Sequence, residues 1–267
     1  MIFIGEKING TIPAIQKAIL AKDRDAIADI ATKQAQAGAD FIDVNAGTDP
    51  SRELDDMMWL IGIVEEVCDT PICLDSSAPT TIEKTINVVK QTPMVNSINA
   101  DKAKLDLLLP LIKERGACVI ALAMDESKSG MPKSIEERME ALDIIFNATQ
   151  KIGLDDSKVF VDPLIMSVST DYKAGLLAFD CIRKIKEDHP DAHITGGLSN
   201  ISFGLPKREL INRTFLTLAM ALGMDSAVVD PLNTALIESL KATELLLGKD
   251  MFCRNYTTSF KKNFESK

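Results

Sequence analysis

Short apolar runs alternate with longer amphipathic stretches from one end of the chain to the other. The runs at 2–5, 41–44, 72–74, 94–98, 118–124, 159–161, 193–198 and 227–229 are rich in Ile, Val and Leu and end in polar residues or glycine. That pattern predicts strands buried on both faces. Between them, 12–20, 24–37, 53–67, 80–89, 102–115, 134–152, 175–186, 209–222 and 234–247 repeat apolar residues at helical spacing. In the 53–67 segment the buried face is Leu54, Met57, Met58, Ile61 and Val64, with Trp59 in the same core. The punctuation agrees: Gly38 and Gly116 stand where helices stop. Pro79 stands near the start of another, and Ser134 and Glu137 have capping-box spacing.

Eight strand–helix units predict a parallel sheet with right-handed crossovers. In a chain of 267 residues they fit a closed (β/α)8 TIM barrel, one domain over 1–267. An open doubly wound sheet is the runner-up. It would want a glycine-rich phosphate loop after the first strand, and the chain carries no GxGxxG or Walker sequence. The tail, 250–267, is polar but spaces Phe252, Tyr256, Phe260 and Phe264 four apart. It is expected to form a last helix packed on the barrel or on a second subunit.

Composition narrows the function classes. The net charge is −9 and only 5% of residues are aromatic, which argues against nucleic acid as a partner. No apolar run approaches the roughly 20 residues of a membrane span. The first residues lack the basic stretch and cleavage site of an export signal. The five cysteines are scattered, none in a CxxC, so free thiols in the cytoplasm are expected and a zinc site is not.

In a barrel of this kind chemistry sits at the C-terminal ends of the strands. The residues found there are Glu6 and Asn9; Asp43, Asn45 and Gly47; Asp75, Ser76 and Ser77; Asn96, Ser97 and Asn99; Asp125; Asp162; Ser199 and Asn200; and Asp230. This is a ring of carboxyls and amides with almost no nucleophile. The chain's two histidines, His189 and His193, make no Ser–His–Asp set, and no lysine at a strand end suggests a Schiff base. Helix caps and turns account readily for Asp101, Asp155 and Asp156. They account less well for Asp75, Asn96 and Asp162, which follow strands with no immediate helix start. Buried carboxyls need donors, and a flat heterocycle with an aminopyrimidinone edge would supply them. Asn200 is expected beside its reactive atom.

Seven stretches carry a resemblance that runs in register through nearly the whole chain: Ile4-Gly5-Glu6-Lys7-Ile8-Asn9-Gly10, Asp43-Val44-Asn45-Ala46-Gly47, Cys73-Leu74-Asp75-Ser76, Asn96-Ser97-Ile98-Asn99, Val161-Asp162-Pro163-Leu164, Gly197-Leu198-Ser199-Asn200 and Leu210-Ile211-Asn212-Arg213-Thr214-Phe215. The chain resembles the pterin-binding methyltransferase family, specifically the methyltetrahydrofolate:corrinoid protein methyltransferases. It is similar to the folate region of cobalamin-dependent methionine synthase and, more distantly, to dihydropteroate synthase. The resemblance implies a pterin-binding TIM barrel that moves a methyl group between N5 of 5-methyltetrahydrofolate and the cobalt of a corrinoid (cobalamin) protein. It implies that Asp75, Asn96 and Asp162 bind the pterin, with Gly197 and Ser199 in the folate site. Asn200 reaches N5, Asn200 and Asp162 forming the catalytic pair, and Arg208 lies toward the aminobenzoyl-glutamate side. Phe203 departs from the pattern where relatives have a polar residue. Folate, a corrinoid protein and a second copy of the chain are the implied partners. A dihydropteroate synthase-like enzyme and a non-catalytic folate- or corrinoid-docking protein are the alternatives; the former would want a late basic pyrophosphate segment, which is missing.

Asp191-Ala192-His193-Ile194-Thr195-Gly196 matches a D-x-H-x-x-G cobalamin signature. It sits at the entry to the seventh strand, so His193 should face away from the active end, and the match reads as chance. Met124 and Met131 are candidates for an apolar surface beside a corrin ring, although ordinary packing also suits them.

Overall fold

A computed structural model describes residues 1–128 and 130–264. Its strands are β1 (Ile2–Asn9), β2 (Phe41–Asn45), β3 (Ile72–Asp75), β4 (Met94–Ile98), β5 (Cys118–Leu122), β6 (Val159–Asp162), β7 (His193–Ile194) and β8 (Ser226–Val229). All pair in parallel, in the order β7-β6-β5-β4-β3-β2-β1-β8. The ring closes where Gly197 bridges Val228 and the Val228 N–H donates to the Gly196 carbonyl at 3.1 Å. The closed barrel, not the open sheet, is therefore the architecture. Around it run α1 (Pro13–Ala21), α2 (Arg24–Gln36), α3 (Pro50–Val67), α4 (Pro79–Thr85), α5 (Lys102–Arg115), α6 (Ile135–Lys151), α7 (Ala174–Asp188), α8 (Arg208–Ala221), α9 (Thr234–Leu246) and α10 (Arg254–Phe264). No helix among the described residues is long and apolar enough to cross a membrane.

Every strand but β7 feeds two separate apolar clusters because its side chains alternate. Ile8, Ile42, Val44, Leu74, Val95, Val119 and Val161 point outward into the core shared with the helices. Ile4, Cys73, Met94, Ile120 and Phe160 meet inside the barrel and fill it. This is why the strands read as continuous apolar runs rather than as alternating ones.

Where boundaries differ from expectation, a local bond explains it. β1 runs on to Asn9 because the Lys7 N–H finds the Gln34 side-chain oxygen at 3.0 Å across a register shift. α3 starts at Pro50, earlier than its apolar stripe, because the Asp49 side chain caps the Ser51 N–H at 2.9 Å. Only half a capping box forms on α6. Ser134 accepts from the Glu137 N–H at 3.2 Å, but the Glu137 carboxylate takes the Lys133 N–H instead. Trp59 is only partly buried, with the Lys22 ammonium 4.5 Å above its ring. In the tail, α10 lies along α9, tied by Lys241 to Ser259, and Tyr256 packs on Phe260 at 4.7 Å. Phe252 precedes the helix at positive φ and is 80% exposed, so it leaves the expected stripe. Residues 265–267 and the Phe264 side chain lie outside the described residues.

One close approach fixes the top of the first two strands. A Cβ on Gly10 would sit 1.8 Å from the Ala46 carbonyl oxygen, and Gly47, at φ +55°, packs back on Gly10. Only glycine fits there.

Candidate active site

The inward positions turn from apolar to polar near the C-terminal end of most strands. Glu6 lies two residues beyond Ile4, Asp43 beyond Phe41, Asp75 beyond Cys73, Asn96 beyond Met94, Asp162 beyond Phe160 and Asp230 beyond Val228. Period two therefore stacks a layer of carboxyls and amides on the apolar plug, at the barrel mouth. β5 adds no such group. Its next inward residue is Leu122, and Asp125 sits in the following loop, capping Ser127 at 2.9 Å.

Asp43, Asp75 and Asn96 form one cluster with Asn45. Asn96 donates to Asp43 at 3.2 Å and Asn45 donates to Asp75 at 2.9 Å. Asp43 is almost fully buried. Burial, and then the Asp75 charge, push its carboxyl well above the ordinary range. Burial also raises Asp75, against bonds from Asn45 and Asp43. Two buried carboxyls in contact cannot both ionise cheaply, so the pair shares a proton.

Asp162 ends β6. Burial raises it to about 6, opposed by the backbone N–H groups of Leu164, Ile165 and Gly197 and by the Arg138 charge. The Leu164 N–H reaches its Oδ1 at 2.8 Å, in a turn that puts Leu164 at φ +62°. A Cβ on Gly196 would lie 3.3 Å from that same oxygen and 2.6 Å from Ile165. Glycine at 196 lets the seventh strand close on the carboxyl.

Beneath this turn lies a residue that sequence reasoning passed over. Arg138, on α6, is 1% exposed and donates from Nη1 to the Pro163 carbonyl at 2.5 Å. Its buried Nε has no partner among the described residues. An arginine within an amphipathic helix reads as solvent face. Only the fold reveals that its charge sits behind Asp162.

β7 is shorter than expected, ending at Ile194 because the backbone turns at Gly196. Asn200 is delivered by a 3-10 turn, Leu198–Ser202, and is exposed at the mouth. Its Nδ2 lies 3.0 Å from where a Gly197 Cβ would stand. Arg208, the first residue of α8, clamps that turn, donating from Nη2 to the Ser199 carbonyl at 2.7 Å and from Nε to Ser202 Oγ at 3.1 Å. Its guanidinium lies 5.9 Å from the centre of the exposed Phe203 ring. Ser167 and Ser169 donate to the Phe203 carbonyl at 2.7 and 2.8 Å, tying the β6 and β7 loops together.

Some strand-end residues serve structure instead. Ser76 is buried and donates to Glu53 on α3, Asn99 caps the Asp101 N–H, and Asn9 holds Thr11. His193 lies at the opposite end, stacked on Phe160 at 4.5 Å and bonded to Asp225 at 2.9 Å. Met131 is half exposed and Met124 partly buried.

A barrel with this mouth is the architecture of pterin-binding enzymes, and the chain belongs to that family: the model described as pterin binding enzyme matches residues 6–230. Among individual relatives, the chain is 42% identical over 262 residues to a methylcorrinoid:tetrahydrofolate methyltransferase of Eubacterium limosum, covering 98% of this chain and 97% of that one. It is 31% identical over 242 residues to a methionine synthase of Mycobacterium leprae, covering 86% of this chain and 20% of that longer protein. Dihydropteroate synthase from Xanthomonas albilineans, in complex with 7,8-dihydropteroate, superposes with a TM-score of 0.69 at 17% identity, over 92% of each chain. The enzyme from Vibrio fischeri ES114 gives the same score and identity over 92% and 93%. These last two are likenesses of fold.

Proposed function

We propose that the protein is a methyltransferase moving a methyl group between N5 of methyltetrahydrofolate and a corrinoid protein. The observation that carries this is the 42% identity, over nearly the full length of both chains, to a methylcorrinoid:tetrahydrofolate methyltransferase, joined to a mouth whose carboxyls and amides suit a pterin. Asp75, Asn96 and Asp162 offer two carboxyls and an amide to a flat ring edge carrying N–H donors and a carbonyl. The proton shared by Asp43 and Asp75 leaves the pair with carboxyl oxygens free to accept. Asn200 stands above, where its carboxamide can accept from protonated N5 or donate to neutral N5. Gly197 keeps the adjoining backbone low enough for the ring to approach.

The corrinoid, carried on its own protein, supplies the cobalt that takes or gives the methyl group. This chain's task is then to hold the folate and polarise one C–N bond. A nucleophilic side chain is unnecessary, in keeping with a mouth of acids and amides. Arg208 borders the side where the folate tail leaves. Exposed Tyr172, Phe203 and Leu232 on loops at the mouth suit a docking partner. Residues 1–267 act as one domain, paired as a homodimer, in the cytoplasm, where the free cysteines stay reduced.

An anaerobic spectrum tests this reading. Cob(I)alamin mixed with the protein and methyltetrahydrofolate should give way to methylcob(III)alamin, and methylcobalamin with tetrahydrofolate should run the reverse. Folate binding without exchange in either direction, with free or protein-bound corrinoid, would leave a docking protein. Dihydropteroate synthesis has only the fold in its favour.

A further inference from the structure

Methyl transfer from a tertiary amine leaves an electron pair on nitrogen, and a proton must reach it. The layer described so far binds the ring but does not identify the source. Glu6 is the group left over. It ends the inward row of β1, mostly buried, and among the described residues its carboxyl has no hydrogen-bond partner.

Beside it is a cavity of about 40 Å³ whose polar lining is Glu6, Ser199, Glu209, Asn212, Asp230 and Asn233, the remainder being apolar. The space is large enough for a water, and a water there would have several polar partners. Leu198 and Ser199, on the turn that carries Asn200, line the same cavity. The charges facing Glu6 come from its own strand (Lys7), from the residue that follows β8 (Asp230) and from α8 (Arg208). Glu209 lies on the cavity wall. Lys7 is engaged by Asp230 at 3.1 Å, which leaves Glu6 without a fixed counter-ion.

We propose that Glu6 is the proton reservoir of the reaction, exchanging its proton with N5 through a water held in this cavity. As the N5–methyl bond breaks, its electron pair stays on N5 and the methyl group leaves for the acceptor. The proton passes from the Glu6 carboxyl to the water, and from the water to N5. Glu6 is left as a carboxylate near Lys7 and Arg208. In the opposite direction the N5 proton returns by the same route. Glu6 thus acts through the water and is not itself in contact with the ring. Burial, and then the Asp230 charge, raise its carboxyl to about 7, where it can give or take a proton at neutral pH.

This inference rests on the methyl-transfer reading, and the experiment separates the two. The pH profile of methyl transfer to cob(I)alamin is measured for the wild type, Glu6→Gln and Asp230→Asn. Wild-type kcat should fall as pH rises through about 7. Glu6→Gln should lose that limb and at least about tenfold in kcat at pH 6, with the folate Kd, read by calorimetry, little changed. Asp230→Asn should move the limb to lower pH, because it removes a charge that holds the Glu6 proton. A wild type that transfers methyl while both variants keep its profile overturns the role of Glu6 alone. A wild type inactive with free and protein-bound corrinoid overturns the methyl-transfer reading itself.

Discussion

The two ends of the barrel interior are built from the same strands but treat their polar groups differently. At the lower end Asp225 is partly buried, which alone would raise it. Bonds from His193 and the Ile194 N–H, with Lys186 nearby, more than compensate and hold it below the ordinary range. At the upper end, four carboxyls of the mouth, on Glu6, Asp43, Asp75 and Asp162, are all raised. Bonds outweigh burial at Asp225, whereas burial outweighs bonds at the four carboxyls of the mouth. Sites that violate local rules in this way are where function is expected.

The sharpest break in the comparison is Phe160→Ala. Phe160 is 2% exposed in the lower plug and stacks on His193. Losing it should cost about 3–5 kcal/mol in a denaturant titration and change folate affinity little. An equal loss of folate affinity would mean that plug and mouth are one cooperative unit.

Asn200→Ala is next. It should lower kcat/KM by about 10²–10³ while leaving stability near wild type, since Asn200 is exposed on its turn. A folded variant with normal turnover removes Asn200 from the chemistry. Asp162→Asn follows, with folate Kd in calorimetry rising by about tenfold or more, the scale of one lost hydrogen bond to a charged group. Unchanged affinity would move the pterin away from β6.

The barrel itself was legible in the sequence because buried parallel strands leave apolar runs and their helices leave a stripe. The mouth residues were legible because period two places them one inward step above that plug. The residues matched through resemblance fell at the mouth: Asp75, Asn96, Asp162, Gly197, Ser199, Asn200 and Arg208. What stayed hidden depends on contacts between distant segments. Arg138 looks like any surface arginine until α6 packs under the Asp162 turn. Ser76 looks like a site residue until Glu53 of α3 claims its hydroxyl. Asp43 was visible as a strand-end acid, but its shared proton with Asp75 required the register of β2 against β3.

The smallest effect expected concerns that shared proton. The folded carboxyls of Asp43 and Asp75 are raised, whereas in the unfolded chain they titrate near about 3.9. Between those limits the native state binds more protons than the unfolded one. The stability they contribute is present in full below the unfolded value and is lost as pH rises through the folded values. Asp43→Asn replaces one acid of the pair with a neutral isostere that can donate to Asp75 and accept from Asn96. Its melting temperature should match the wild type at about pH 4 and exceed it at pH 8, by about 2 °C for each 1 kcal/mol gained in a domain of this size. A variant whose deficit instead grows with pH would show that Asp43 is ionised in the native state. The mouth would then hold its charge as the lower end does, and the contrast between the two ends would fail at its most buried residue.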